Sequence, residues 1–280
     1  MQADALKAFI LKELETDRAS DDVTARLLGS RGEVLCEATV FAKESGVFCG
    51  ESVCAAFPDT VVSVECLVRD GAVLEVGTPV ARVRGTAAAC LSHERTLLNL
   101  LSHLSGIATQ TRKFVQAVGP FKTKILATRK TLPGLRDLQL QGVRAGGGHI
   151  HRRSLSDGIL VKDNHLVFIP EGDVVARAKS LRSPLHRVEV EVQSLEQLER
   201  LMVNPPDVVM LDNFSLEDTR VAIGRVGGRC EIEVSGGMSL DRVAELAALG
   251  VDYLSVGRLT HSAAALDLSL DIRALDARLV

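Results

Sequence analysis

Five short stretches carry the residues that could do chemistry: Arg129-Lys130, Lys162-Asp163-Asn164-His165, Glu189-Val190-Glu191, Asp212-Asn213 and Ser235-Gly236-Gly237. Each ends, follows or lies within a short run of aliphatic residues. Arginine grips a carboxylate or phosphate through parallel N–H donors, whereas lysine supplies a point charge. Glycine turns bring backbone N–H groups close to an anion, and helix N-termini favour it. Ser235-Gly236-Gly237 and Gly257, with Thr260 and His261 just after it, have the composition of a phosphate-binding pair of turns. A further basic cluster, Arg144, His149, His151, Arg152 and Arg153, surrounds Gly146-Gly147-Gly148. The chemistry on offer is the binding of a substrate with several negative charges. Glu191 and Asp212 oppose the cations. A carboxylate there can be a general base, a Mg²⁺ ligand, a ribose hydroxyl partner or an ion-pair partner of Lys162 or Arg129. With a strand period of two, Glu189 and Glu191 face the same side.

These stretches need a scaffold that aligns strand ends. Aliphatic runs at Lys124–Leu126, Ile159–Val161, Val188–Val192, Val208–Leu211, Ile232–Val234 and Tyr253–Val256 alternate with helical patterns at Leu195–Met202, Leu216–Ile223 and Leu240–Leu249. That rhythm predicts βαβ units and a parallel sheet, whose carboxyl ends form the site. A full eight-fold barrel needs ~250 residues. The pattern alone leaves an incomplete barrel and a doubly wound sheet both open. Before it, Asp4–Leu14 reads as a helix, and strands are expected at Leu35–Ala42, Val61–Val68 and Pro79–Val83. Ser92–Val118 is a long helical pattern linking the two parts, with Leu97, Leu98, Leu101, Leu104 and Ile107 on one face and Gly106 as a close-packing point.

The net charge of −3 lacks the basic excess of a nucleic-acid binder. Charges interrupt every apolar run well short of the ~20 residues of a membrane helix. The N-terminus begins an acidic amphipathic stretch, so no signal peptide is expected. Six scattered cysteines form no CxxC pair, which predicts reduced thiols and a cytoplasmic setting. His93, His103 and His186 are expected at packing or surface positions. The absence of tryptophan and the single tyrosine predict an aliphatic core.

Taken in order, these stretches resemble the quinolinate phosphoribosyltransferase family. The matching residues are Glu94-Arg95-Thr96 with Asn99; Leu104 to Ala108; Thr128 to Gly134; Gly146-Gly147-Gly148 with His151-Arg152; Lys162 to His165; Glu189 to Glu191; Leu211 to Phe214; Ser235-Gly236-Gly237; and Val256-Gly257 with Leu259 to Ser262. The resemblance implies an α/β fold: an N-terminal α/β sandwich domain with the linking helix over residues 1–110, a parallel (β/α) barrel of the type II phosphoribosyltransferase kind over 111–270, and a C-terminal segment, 271–280, packing back on the first domain. It implies phosphoribosyl transfer from PRPP to quinolinate with decarboxylation, giving nicotinate mononucleotide, CO₂ and pyrophosphate. Lys130, Lys162, Glu191 and Asp212 would be catalytic. Arg129, His151 and Arg152, with Lys130 and Lys162, would hold the two substrate carboxylates. Ser235, Gly236, Gly257 and His261 would line the 5′-phosphate pocket. Mg²⁺ would accompany PRPP without needing a direct protein ligand, Glu191 and Asp212 being the residues able to provide one. A homodimer, or a higher assembly of it, would bring Arg95 to the neighbouring site.

The chain departs from the family pattern at Ile150, where Asn is usual, at Arg153-Ser154, where Leu-Gly often stands, near Gln141-Gly142, and at Ser20 to Thr24. These positions bear on acceptor identity. Other readings are a paralogue using a different pyridine carboxylate, a Schiff-base lyase using Lys162, and a non-catalytic binder of a phosphorylated metabolite.

Overall fold

A computed structural model describes residues 2–58 and 60–275. The chain opens with α1 (Ala3–Thr16), whose Leu6, Ile10 and Leu14 recur at helical spacing and are all buried. There follow β1 (Leu35–Ala42), β2 (Gly46–Val47), α2 (Glu51–Ala56), β3 (Val62–Cys66), β4 (Val73–Leu74) and β5 (Pro79–Thr86). Next comes α3 (Ala87–Ala117), 31 residues long and begun five residues earlier than its apolar pattern announces. Leu97, Leu98, Leu101, Leu104 and Ile107 are buried along it, and truncating one of them to Ala would cost about 2–5 kcal/mol. At Gly106 an added Cβ would lie 2.0 Å from the Ala264 carbonyl oxygen, so only glycine permits this approach.

Strand–helix alternation then begins: β6 (Lys124–Ala127), α4 (Arg136–Ala145), β7 (His149–Ile150), β8 (Ile159–Val161), α5 (Asp163–Leu166), α6 (Glu171–Leu181), β9 (Val188–Val192), α7 (Leu195–Leu201), β10 (Val208–Asp212), α8 (Leu216–Val226), β11 (Glu231–Ser235), α9 (Leu240–Ala248), β12 (Tyr253–Ser255) and α10 (Arg258–His261). A last strand, β13 (Leu268–Ala274), follows. Three of these helices start on the same device. Ser194, Ser215 and Ser239 each accept a hydrogen bond from the backbone N–H three residues on. Such a cap contributes about 1 kcal/mol.

The chain forms two compact units. One contains the residues up to Thr111, Asp137–Gly147 and the residues from Ala263 on; the other contains Arg112–Arg136 and Gly148–Ser262. This division differs from a cut at 110 and 270, because α4 clusters with the first unit and the return to it begins at Ala263. The segment expected at 271–280 is described only to Leu275; residues 276–280 lie outside the described residues.

The first unit is built on an antiparallel sheet of order β13-β1-β5-β3. β1 pairs with both β13 and β5, so the sheet joins the start of the chain to its last strand. The second unit holds seven strands in the order β7-β6-β12-β11-β10-β9-β8, every pair parallel. A doubly wound sheet would reverse its order at an internal switch point. Here the order runs on from β8 to β12 and then places β12 beside β6, as in a barrel. No pairing joins β7 to β8, so the barrel is incomplete. All six cysteines are free thiols. Among the described residues no helix is long and apolar enough to cross a membrane.

Candidate active site

Strand period two divides each barrel strand into an outer and an inner face, and the inner residues form two tiers. Toward the carboxyl ends, Thr128, Lys162, Glu191, Met210, Asp212, Ser235 and Ser255 line a cavity of about 530 Å³. Deeper in, Leu126, Leu160, Glu189, Val208, Glu233 and Tyr253 line a second cavity of about 360 Å³. In register, Met210 sits beside both Glu191 and Glu233.

The upper cavity brings together Arg129, Lys130, His151, Arg152, Lys162, Glu191, Asp212, Ser235 and Gly236, nine of the residues singled out in the sequence. The Arg129 Nε is buried without a hydrogen-bond partner, a donor prepared for an anion. Lys162 Nζ forms an ion pair with Glu191, whose side chain is buried. The Lys162 backbone N–H donates to His165 Nδ1 at 2.9 Å, which fixes the turn that presents the lysine. Arg152 Nη1 donates to the Gly158 carbonyl at 3.4 Å. Asp212 Oδ2 accepts from Asn213 Nδ2 at 2.8 Å.

Two loops close the upper wall. Asn213 adopts the left-handed conformation (φ 58°), as do Gly236 (φ 95°) and Gly237 (φ 57°). A Cβ on Gly236 would lie 2.0 Å from Asn213 Oδ1, so a side chain there is excluded twice over. Gly257 and His261 belong to an adjoining cavity of about 440 Å³, which shares Thr128, Lys130, Ser235, Gly236, Gly237 and Ser255 with the first. Thr260 Oγ1 donates to the Lys130 carbonyl at 2.7 Å and ties the two loops together. Ser239, the cap of α9, lines this same cavity.

His151 and Arg152 line both the upper and the deeper cavity. His151 Nε2 lies 2.6 Å from Glu189 Oε2 and 3.5 Å from Glu233 Oε2. Burial alone would lower the affinity of the ring for its proton. The hydrogen bond to Glu189 and the charges of Glu233 and Glu189 outweigh burial and Arg152, and the His151 pKa lies above its ordinary value. Burial, and then the neighbouring Glu189 charge, push the Glu233 carboxyl up to about 8. Among the described residues this trio is the one group of His and carboxylate ligand atoms, all within 4.8 Å of one another, with the composition to hold a metal ion.

The family models agree with the order of these motifs. The model of the quinolinate phosphoribosyl transferase C-terminal domain matches residues 107–271, and that of the N-terminal domain matches residues 22–105. The chain belongs to the quinolinate phosphoribosyl transferase family. A Mycobacterium leprae protein named nicotinate-nucleotide pyrophosphorylase (carboxylating) is 43% identical over 280 residues, covering 96% of this chain and 98% of that one. A structure of NadC from Streptococcus pyogenes has a TM-score of 0.91 at 36% identity, over 99% of both chains. The nicotinate-nucleotide pyrophosphorylase of Francisella tularensis gives 0.89 at 35%, over 98% of both.

Two sets of residues in this family member stand apart from the cavity. Arg95 lies on α3 in the first unit, largely exposed, with Nη2 3.9 Å from Glu94 Oε1, and is not among the residues lining the barrel cavities. Ile150 lines the deeper cavity and not the upper one. Arg153-Ser154 builds a turn around Asp157, which accepts from both backbone N–H groups and from Ser154 Oγ at 2.6 Å. Glu233 and Ser255 escaped the sequence reading. Counting back by two from Ser235 would have found Glu233 as an inward carboxylate in an apolar strand.

Proposed function

We infer that this protein transfers the phosphoribosyl group of PRPP to quinolinate, with loss of CO₂, to give nicotinate mononucleotide for NAD biosynthesis. The observation that carries this reading is the upper cavity, where five basic side chains face Glu191 and Asp212 and open onto glycine turns. Arg129, Lys130, His151, Arg152 and Lys162 would hold the two carboxylates of the acceptor. That grip turns the pyridine nitrogen toward the anomeric carbon of PRPP, held through its 5′-phosphate by the turns at Ser235-Gly236 and Gly257 with His261. The nitrogen forms its bond as pyrophosphate leaves. Glu191 and Asp212 stabilise the positive charge that develops on the ribose. The product ring is cationic and accepts the electron pair left when the adjacent carboxylate departs as CO₂; that carbon then takes a proton.

The donor set fits magnesium, which binds one or two carboxylates together with substrate phosphates. Asp212, half-buried at the cavity wall, would hold it, because Lys162 already engages Glu191. When bound, the ion supplies countercharge for the pyrophosphate leaving group. The active form would be a homodimer in which Arg95 serves the neighbouring site, and the free thiols suit a cytoplasmic enzyme. The lyase reading is less well supported, because Lys162 is ion-paired among anion-binding groups instead of lying in an apolar pocket.

Purified protein mixed with quinolinate, PRPP and Mg²⁺ should release CO₂ and nicotinate mononucleotide in equal amounts. PRPP binding without these products would overturn the acceptor, and no binding at all would overturn the assignment. Two inactive variants, Arg95→Ala and Arg129→Ala, should regain activity on mixing; failure to do so would remove the shared-site dimer.

A further inference from the structure

Behind the acceptor site lies an arrangement that the transfer reaction itself does not call for. Glu189 and Glu233 are 7% and 1% exposed, and in each the Oε1 atom has no hydrogen-bond partner. Buried polar atoms left this way cost stability. Two adjacent carboxylates cannot cheaply both carry charge away from water. One proton removes both difficulties, because it makes one carboxyl a donor and leaves the other an acceptor. His151 is the cation that reaches both, at 2.6 and 3.5 Å. The other groups facing the trio are few. Arg152 adjoins His151, Ser255 lies close to Glu233, and Asp157, Arg187 and Tyr253 line the deeper cavity.

We propose that Glu189 and Glu233 are positioning residues that share one proton and hold His151 as an imidazolium facing the anionic acceptor. The trio is then neutral as a whole, with its positive end at the wall of the upper cavity. Removal of one more proton leaves it net negative beside a substrate carboxylate, so acceptor binding weakens on the alkaline side. Glu189 fixes the ring through Nε2, and Glu233 keeps Glu189 from standing as an unpaired charge. The role assigned to the acceptor rests on the function inferred above.

The test combines kinetics with ¹⁵N NMR of the histidine ring on the full-length protein. His151 should read as an imidazolium at pH 7 in the wild type and as a neutral ring in Glu189→Gln. In that variant KM for quinolinate should rise at least tenfold at pH 7.5 and recover toward pH 6, with kcat and KM for PRPP within about threefold. Glu233→Gln imitates the protonated carboxyl and should keep near-normal KM at pH 7, whereas Glu233→Leu should not. A neutral His151 in the wild type would overturn the proposal. So would wild-type KM for quinolinate in Glu189→Gln across pH 6 to 8, or a stoichiometric metal ion on the purified protein that Glu233→Gln loses. If the wild type does not turn over quinolinate, the functional reading fails, while the NMR titration still decides the state of the trio.

Discussion

Glu37 in the antiparallel sheet and Glu233 in the parallel one are both mid-strand glutamates withdrawn from water, at 5% and 1% exposure. Their surroundings are opposite. Glu37 lies across the strands from Arg84 on β5 and Arg273 on β13, and both donate to it, with Arg82 at 3.6 Å. These arginines are themselves partly exposed, so the carboxylate is covered by its own partners. Hydrogen bonds from Arg273 and Arg84 hold its pKa below the usual value. Glu233 has no arginine on it among the described ion pairs, and burial drives its pKa the other way. Cross-strand charge pairing stabilises a scaffold, whereas an under-compensated carboxylate is available to shape a site.

The sharpest way to break that comparison is to remove one arginine from each region. Arg129→Ala should lower kcat/KM for quinolinate about a thousandfold, as expected for loss of a charge-assisted grip in a closed site. Arg273→Ala should leave kcat/KM within twofold, and steady-state kinetics on both would expose any crossover. Gly236→Ala meets both a positive φ and the Asn213 amide. It should raise KM for PRPP by about ten- to a hundredfold, with thermal stability falling by no more than a few degrees.

The pH dependence of stability should separate the two glutamates by sign. Glu37 has a lowered pKa, so its contribution is present above about 4.5 and is lost as pH falls through the folded-state value. The Tm deficit of Glu37→Gln should therefore shrink on acidification. Glu233 has a raised pKa, so its contribution is full below 4.5 and is lost as pH rises toward about 8. The Tm of Glu233→Gln should rise relative to wild type over that interval and then level off. Parallel Tm profiles for the two variants would dissolve the contrast. The smallest effect is thermal: Arg273→Ala should lower Tm by about 1–3 °C at pH 7, because two other arginines still cover Glu37.

Much of this was legible in the residues. β1, β8 and β9 fall at their expected bounds because each is an apolar or alternating run closed by a polar residue, Lys43, Lys162 or Gln193. β7 has two residues, too few for any period to register. α4 escaped because its buried face includes Gln139 and Gly142, which no hydrophobic pattern reveals. The incomplete barrel could not be told from a doubly wound sheet until β12 was seen beside β6, a pairing of residues more than a hundred apart. Within the site, the residues at the strand ends could be named in advance because glycine and charge mark loops. In the deeper tier Glu189 could be named from its spacing to Glu191, whereas its closeness to Glu233 could not, because that is set by register between strands and not by any one strand.

The strand β13 closes the sheet that begins the chain, although about 225 residues separate Ala42 on β1 from its pairing partner Leu268. A ribosome delivers these residues in order, and domains fold as their own residues emerge. The barrel strands are all synthesised before β13, so the parallel sheet can be finished while β1 still waits with an open edge. The first unit to appear is the last to be completed, and during synthesis it is the sheet at the start of the chain that needs protection from aggregation.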